Sequence, residues 1–75
     1  MQRFVFDLSI TADEWLAYYR GAARHVVAVA RGGKRVQFAA KHLQRFVTRD
    51  GIRGTFEMVL DDAHDLVRFE RLGAG

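Results

Sequence analysis

The sequence predicts a single small α+β domain: a small, highly twisted antiparallel sheet or barrel of about five strands, with one docked short helix and a second helical turn. Three observations predict it. Apolar and polar residues alternate in several short runs, a capping box opens one helix, and Gly-Gly and Asp-Gly turns separate later runs. A chain of 75 residues, 49% of them hydrophobic, can build one core. We expect the domain to span residues 1–72, with a frayed tail at 73–75.

The first strand and the following helix have the clearest local signals. Every second residue from Phe4 to Ile10 is apolar, which predicts a strand with one buried face. Thr11 and Glu14 form a capping box, in which each side chain accepts a hydrogen bond from the other residue's backbone N–H. A helix should start there and end near Gly21. Helical spacing predicts a buried face of Ala12, Trp15, Leu16 and Tyr19, with Tyr18 on the flank.

Two β-rich segments, residues 25–30 and 34–38, flank Gly32-Gly33 and predict a hairpin. A two-residue turn at these glycines would pair Val29 with Val36 and Val27 with Phe38. All four of those side chains should then face inward.

The apolar spacing changes at residues 40–47, where it suits one or two helical turns. Ala40, Leu43, Phe46 and Val47 should face inward, and Lys41, Gln44 and Arg45 outward. An Arg49-Asp50-Gly51 turn ends this segment. A strand follows from Ile52 to Leu60, with Gly54 in the inward series, where a Cβ would crowd a neighbour or a bulge lies. A polar loop then leads to a last strand at residues 66–72.

A ferredoxin-like arrangement is the alternative topology, because strand-helix-strand-strand-helix-strand can be read from the same elements. Both helices are short for covering a four-stranded sheet, which favours the twisted sheet or barrel.

Charge is distributed unevenly along the chain. Residues 20–53 contain nine basic residues against Asp50 alone, a net charge of +8, whereas residues 1–19 carry −2 and residues 54–75 carry −3. Such asymmetry is typical of a surface that meets phosphate or an acidic protein. A solvated surface with no partner would show the same pattern.

Composition and motifs argue against several classes of protein. The chain has no cysteine, so a disulfide framework and a thiolate zinc site are excluded. No apolar run approaches the roughly 20 residues of a membrane-spanning helix, and the first residues read as a strand, so we expect a cytoplasmic protein without membrane contact. No nucleophile and base lie near each other in sequence, so we expect neither catalytic residues nor a cofactor. The loop at residues 61–65 has the atoms for a metal site, but such residues also suit a polar hairpin tip, and we predict no metal.

Several stretches resemble a known family across nearly the whole chain. The resemblance rests on Tyr18–Gly21, Val36–Ala40, Phe46–Phe56 and Phe69–Leu72. The chain is similar there to short bacterial proteins grouped as a domain of unknown function, DUF2835. This resemblance implies a compact cytoplasmic protein and brings no activity with it.

The basic middle segment directs the functional hypothesis, a non-enzymatic binding module that meets nucleic-acid phosphates. Lys41 and Arg45 would share a helical face at positions i and i+4, and the other contacts would come from strands and a turn. The predicted contacts are Arg35, Lys41, Arg45, Arg49 and Arg53, with Tyr18 or Gln37 as secondary contacts. The rival hypothesis is a protein-interaction or self-assembling domain, either a homodimer or the partner of an acidic protein.

Overall fold

The computed structural model describes residues 1–21 and 24–73. These residues form strand β1 (Gln2–Thr11), helix α1 (Ala12–Tyr19), strands β2 (His25–Val29) and β3 (Arg35–Ala39), a 3₁₀ helix (Ala40–Phe46), and strands β4 (Gly51–Leu60) and β5 (Leu66–Gly73). The predicted α+β class, with five strands and two short helical segments, is confirmed. In the described ranges, no helix is long and apolar enough to cross a membrane.

The strands form two antiparallel sheets, one in the order β1-β4-β5 and one of β2 and β3. The central strand β4 pairs with β1 along its full length, from Gln2 opposite Leu60 to Thr11 opposite Gly51. Between the hairpin and β1, the N–H of Arg31 donates to the carbonyl of Val5 at 2.7 Å. Across residues 1–21 and 24–73, therefore, the strands neither close into a barrel nor form the single four-stranded sheet of a ferredoxin-like fold.

The core contains a cluster of phenylalanine rings to which both sheets and the 3₁₀ helix contribute. Phe6 of β1 stacks on Phe38 of β3 with 5.4 Å between ring centroids, and Phe38 lies 5.0 Å from Phe69 of β5. Phe46 of the 3₁₀ helix meets the ring of Phe56 on β4 edge-on at 5.3 Å. Offset and edge-on arrangements are the favourable geometries for aromatic pairs.

Helix α1 begins with the predicted capping box. The N–H of Glu14 donates to Thr11 Oγ1 at 3.1 Å, and the N–H of Thr11 donates to Glu14 Oε1 at 3.0 Å. The N–H of Gly21, whose φ is 79°, donates to the carbonyl of Tyr18 and closes the helix. The prediction is therefore confirmed at both ends of the helix.

The predicted buried face of α1 is confirmed at Trp15 and wrong at its other three residues. Trp15 is buried and Tyr18 is half-buried, whereas Ala12, Leu16 and Tyr19 are exposed, Tyr19 by 76%. A helix of eight residues has only about two turns, and α1 packs on β1 and β4. Its contact with the core therefore follows the Trp15 and Tyr18 pair, three residues apart, rather than a wider stripe.

The register of the β2–β3 hairpin also differs from the prediction. The N–H of Ala30 donates to the carbonyl of Lys34, so the loop has three residues instead of two. Val26 pairs with Phe38 and Ala28 with Val36. A shift of one residue turns the opposite face of a strand inward. Val26 is thus only 4% exposed and Val27 is 54% exposed, and Val29 is exposed as well.

Two glycines of β4 allow close approaches that a side chain would block. A Cβ on Gly54 would lie 2.5 Å from the carbonyl oxygen of Gly73 and 2.6 Å from Nε of Arg71, which confirms the predicted crowding. A Cβ on Gly51 would overlap the carbonyl of Ile10, where β1 passes into α1. At the C-terminus, Gly73 belongs to β5, and the rest of the predicted frayed tail, residues 74 and 75, lies outside the described residues.

The hairpin register can be tested with two neighbouring valines. Val26→Ala should lower the free energy of unfolding by about 2 kcal/mol, because each buried methylene contributes about 0.8 kcal/mol and the cavity adds to the loss. Val27→Ala should change it by less than about 0.5 kcal/mol, as is usual on a surface. Urea denaturation measures the free energy of unfolding of both variants. A larger decrease for Val27→Ala than for Val26→Ala would contradict this register.

The capping box should also contribute measurably to stability. We expect Thr11→Ala to cost about 0.5–2 kcal/mol in urea denaturation, because the backbone N–H of Glu14 loses its acceptor. Thr11→Ser keeps a hydroxyl at the same place and serves as the control. If the alanine and serine variants unfolded at the same urea concentration, the cap would have no energetic role.

Candidate nucleic-acid interface

The candidate site is built around the 3₁₀ helix, whose winding follows from its apolar spacing. Ala40, Leu43 and Phe46 recur every third residue, and residues three apart eclipse each other in a 3₁₀ helix. Ala40 and Leu43 are buried, and Phe46 packs against the core. Lys41 and Arg45 therefore do not share one face as predicted, since the i and i+4 rule holds for an α-helix.

Three clefts adjoin the 3₁₀ helix. The first, of about 340 Å³, is lined by Trp15, Tyr18, Tyr19, Arg24, His25, Ala39, Ala40, Lys41 and Gln44. The second, also of about 340 Å³, is lined by Lys41, His42, Gln44, Arg45, Leu66 and Phe69. The third, of about 200 Å³, is lined by Gln37, Phe38, Ala39, His42, Met58, Leu60, His64 and Leu66. We call the three together the helix surface.

The helix surface is continuous and lacks negative charge. Lys41 and Gln44 line both the first and the second cleft, and His42 and Leu66 line both the second and the third. Among the described residues that line the three clefts, none is an aspartate or a glutamate. All three histidines of the sequence line them.

The first cleft has an aromatic wall. Tyr18 stacks on Trp15 with 5.5 Å between ring centroids and 28° between ring planes. Tyr19 beside them is largely exposed. Arg24, His25 and Lys41 line the same cleft and are exposed. Aromatic side chains and basic side chains therefore line the same cleft.

In the second cleft, Arg45 contacts residues of the core, and its charge acts on His42. The Arg45 guanidinium donates from Nη2 to the carbonyl of Phe69 and lies over the ring of Phe46, 4.7 Å from its centroid. Burial lowers the pKa of His42 below its ordinary value of 6.5, and the charges of Lys41 and Arg45 lower the pKa further. The charged form of the imidazole is therefore disfavoured.

Several carboxylates have partners on other parts of the molecule. Glu57, on β4, has a side chain only 5% exposed, accepts a hydrogen bond from Arg3 Nε, and accepts another from Arg68 Nη2 at 2.7 Å. Asp7 lies 3.7 Å from the guanidinium of Arg31. Within residues 1–21 and 24–73, no ion pair involves a basic residue of the helix surface.

The predicted contact residues are only partly brought together. Lys41 and Arg45 line the helix surface, as do the predicted secondary contacts Tyr18 and Gln37. The remaining three lie elsewhere. Arg35 is exposed opposite Val29 in the hairpin, Arg49 is exposed in the turn before β4, and Arg53 lines a separate small cleft that includes Asp50.

Sequence reasoning did not assign several residues of the helix surface to the site, among them Tyr19, Arg24, His25, His42 and Gln44. The spacing of three in the apolar series could have indicated a 3₁₀ helix and so placed Gln44 above Lys41. Nothing in the sequence placed Arg24 and His25, because their position depends on how the β2–β3 hairpin docks.

The acidic loop between β4 and β5 uses its first carboxylate to shape the backbone. Oδ1 of Asp61 accepts from the N–H groups of Ala63 and Asp65, both at 2.9 Å. His64 adopts a φ of 67°, in the left-handed region. Asp61 therefore stabilises a tight turn, a role typical of aspartate in loops.

A family model matches residues 2–72, nearly the whole length of the chain. The chain belongs to the DUF2835 family, described as proteins of unknown function. The resemblance found in the sequence is thereby confirmed. No curated protein and no solved structure matches the chain. The match to DUF2835 spans β1 to β5 and includes every cation of the helix surface.

Glu57 should make the free energy of unfolding depend on pH. Hydrogen bonding to Arg3 lowers the pKa of this carboxyl against an opposing effect of burial, and Arg68 lowers the pKa further. Its contribution to stability is therefore complete above the unfolded-state value of about 4.5 and is lost as the pH falls through the lower folded-state value.

Glu57→Gln should consequently be less stable than wild type at pH 7, and the gap between the two should shrink below about pH 4.5. Urea denaturation of wild type and variant across a pH series measures this difference in stability. Asp62→Asn is the control, because Asp62 makes an exposed ion pair with the N-terminal ammonium, and such pairs add little. Parallel pH profiles for wild type and Glu57→Gln would refute the assignment.

Proposed function

We propose that this DUF2835 protein is a non-enzymatic, cytoplasmic binding module that binds nucleic-acid phosphates on the helix surface. The observation that carries the proposal is the continuity of the clefts around the 3₁₀ helix, where Arg24, Lys41 and Arg45 meet no carboxylate among the described lining residues. A concave surface of one charge focuses its field and attracts the opposite charge. The unequal charge distribution along the sequence supports the same interpretation.

Donor chemistry favours phosphate as the ligand group. Arg24 and Arg45 have guanidinium forks, which suit phosphate oxygens, and Lys41 adds a point charge between them. Arg45 is already ordered by the Phe69 carbonyl, so less side-chain entropy is lost when it binds. Gln37 and Gln44 add amide donors along the same surface.

A protein-interaction or self-assembling domain is the second candidate. It is favoured by apolar side chains left exposed on β2 and on the edge strand β5. These are Val27, Val29, Leu66, Val67 and Leu72. An unpaired strand edge can pair with another chain, and the basic residues would then meet an acidic protein.

Binding to nucleic acid can be tested with charge reversals at two places. We expect Arg24→Glu with Lys41→Glu to weaken binding to labelled DNA and RNA oligonucleotides of any sequence, measured by fluorescence anisotropy at low and physiological salt. On a single strand, the slope of log affinity against log salt should fall by about 0.7 for each phosphate that the variant no longer neutralises. Both residues are exposed, so the fold should tolerate the change.

The matched control is Arg35→Glu with Arg49→Glu, which changes the net charge equally at exposed positions outside the three clefts. If this pair weakened binding as much, the phosphates would lie along the basic residues outside the clefts as well as on the helix surface, and the proposed site would be wrong. Absence of binding by wild type at low salt would refute the nucleic-acid proposal. Sedimentation of wild type as a dimer would then favour self-assembly.

A further inference from the structure

The first cleft has features that phosphate binding alone does not require. Trp15, Tyr18 and Tyr19 line it with three aromatic rings, and two of the other lining residues, Ala39 and Ala40, are small. Its volume of about 340 Å³ lies within the usual range for small-molecule sites, roughly 300–1,000 Å³. A cleft that served only for charge would need no aromatic wall.

Tyr18 and Tyr19 differ in how they are held. Tyr18 is half-buried and fixed by its stack on Trp15, so its orientation is set by the core. Tyr19 is 76% exposed although it is a large aromatic residue, and it projects beside the cleft. The pair combines an aromatic ring packed against the core with a second ring that is largely exposed to solvent.

The polar residues of the cleft are suited to a nucleotide. Arg24 and Lys41 can bind the phosphates on either side of a base. The amide of Gln44 and the imidazole of His25 both donate and accept hydrogen bonds, as the edge of a base requires. Stacking on an aromatic ring needs a base whose face is not covered by its neighbours, so a paired base within a duplex is excluded.

We propose that the first cleft binds one unpaired nucleobase between its aromatic wall and Gln44, so that the protein prefers single strands to duplexes. This inference rests on the proposed function, because the same cleft provides Arg24 and Lys41 for the phosphates. An acidic peptide is the competing occupant, and it would use the cations without the rings.

Three oligonucleotides of equal length test the inference by fluorescence anisotropy: a single strand, its duplex, and an abasic strand that keeps the phosphates. We expect the single strand to bind about 5- to 150-fold more tightly than the abasic strand, the range that corresponds to stacking of one base. Trp15 is the sole tryptophan of the chain and lines the cleft, so its fluorescence should also respond to the single strand and not to the abasic strand.

The variant for the test is Tyr19→Ala, because Tyr19 is exposed and its removal should spare the fold. It should weaken binding of the single strand and leave the abasic strand unaffected. Leu16→Ala is the matched control, since Leu16 is exposed on the same helix and does not line the cleft. That variant should bind all three probes as wild type does.

Other results would overturn the inference in distinguishable ways. Equal affinity for the single and abasic strands, with both weakened by Arg24→Glu and Lys41→Glu, would refute the base site and leave phosphate binding intact. Competition by polyglutamate as strong as that by the single strand would assign the cleft to an acidic partner. No binding of any oligonucleotide would refute the proposed function together with the base site.

Discussion

Five phenylalanine rings, one each from β1, β3, the 3₁₀ helix, β4 and β5, meet at the centre of this protein, and the rest of the structure depends on their contact. They are Phe6, Phe38, Phe46, Phe56 and Phe69. The two sheets share little backbone hydrogen bonding, so side-chain packing, with this cluster at its centre, joins them. Phe46 attaches the 3₁₀ helix to this cluster. The backbone carbonyl of Phe69 accepts the hydrogen bond that orders Arg45. The position of the helix surface therefore follows from packing in the core.

Several acidic residues of the folded molecule have structural partners. Glu57 pairs with two arginines, Glu14 caps α1, and Asp61 stabilises a turn. Each of these acids is used in holding the fold together. Arg24 and Lys41 make no such ion pair among the described side chains, and this is why the proposed function assigns their charges to a ligand.

Much of the fold could be predicted because its strongest signals are local. The alternation in β1, the capping box at Thr11 and the crowding at Gly54 each depend on a few neighbouring residues. The hairpin register failed because one extra loop residue, placed by the bond from Ala30 to Lys34, reverses which valines are buried. Such a difference of one residue leaves no trace in hydrophobicity, since Val26 and Val27 are chemically identical.

The candidate site was harder to predict than the fold, for the reason that it joins distant elements. The sequence singles out both Tyr18 and Lys41, but their meeting across one cleft depends on how α1 and the 3₁₀ helix dock. Helical spacing alone assigns Tyr19 to the core, because it cannot say which side of Trp15 contacts the sheets. Charge asymmetry predicted a basic surface, but the positions of the individual cations depend on packing.

The tighter winding of residues 40–46 has a consequence for how positive charge is presented. With three residues per turn, Lys41 and Arg45 stand about a third of a turn apart around the helix axis. In an α-helix they would lie almost in line, one turn apart. The two charges are thus separated around the segment as well as by about 8 Å along it, at a rise of about 2.0 Å per residue. A chain of phosphates contacting both residues would have to run obliquely over the helix.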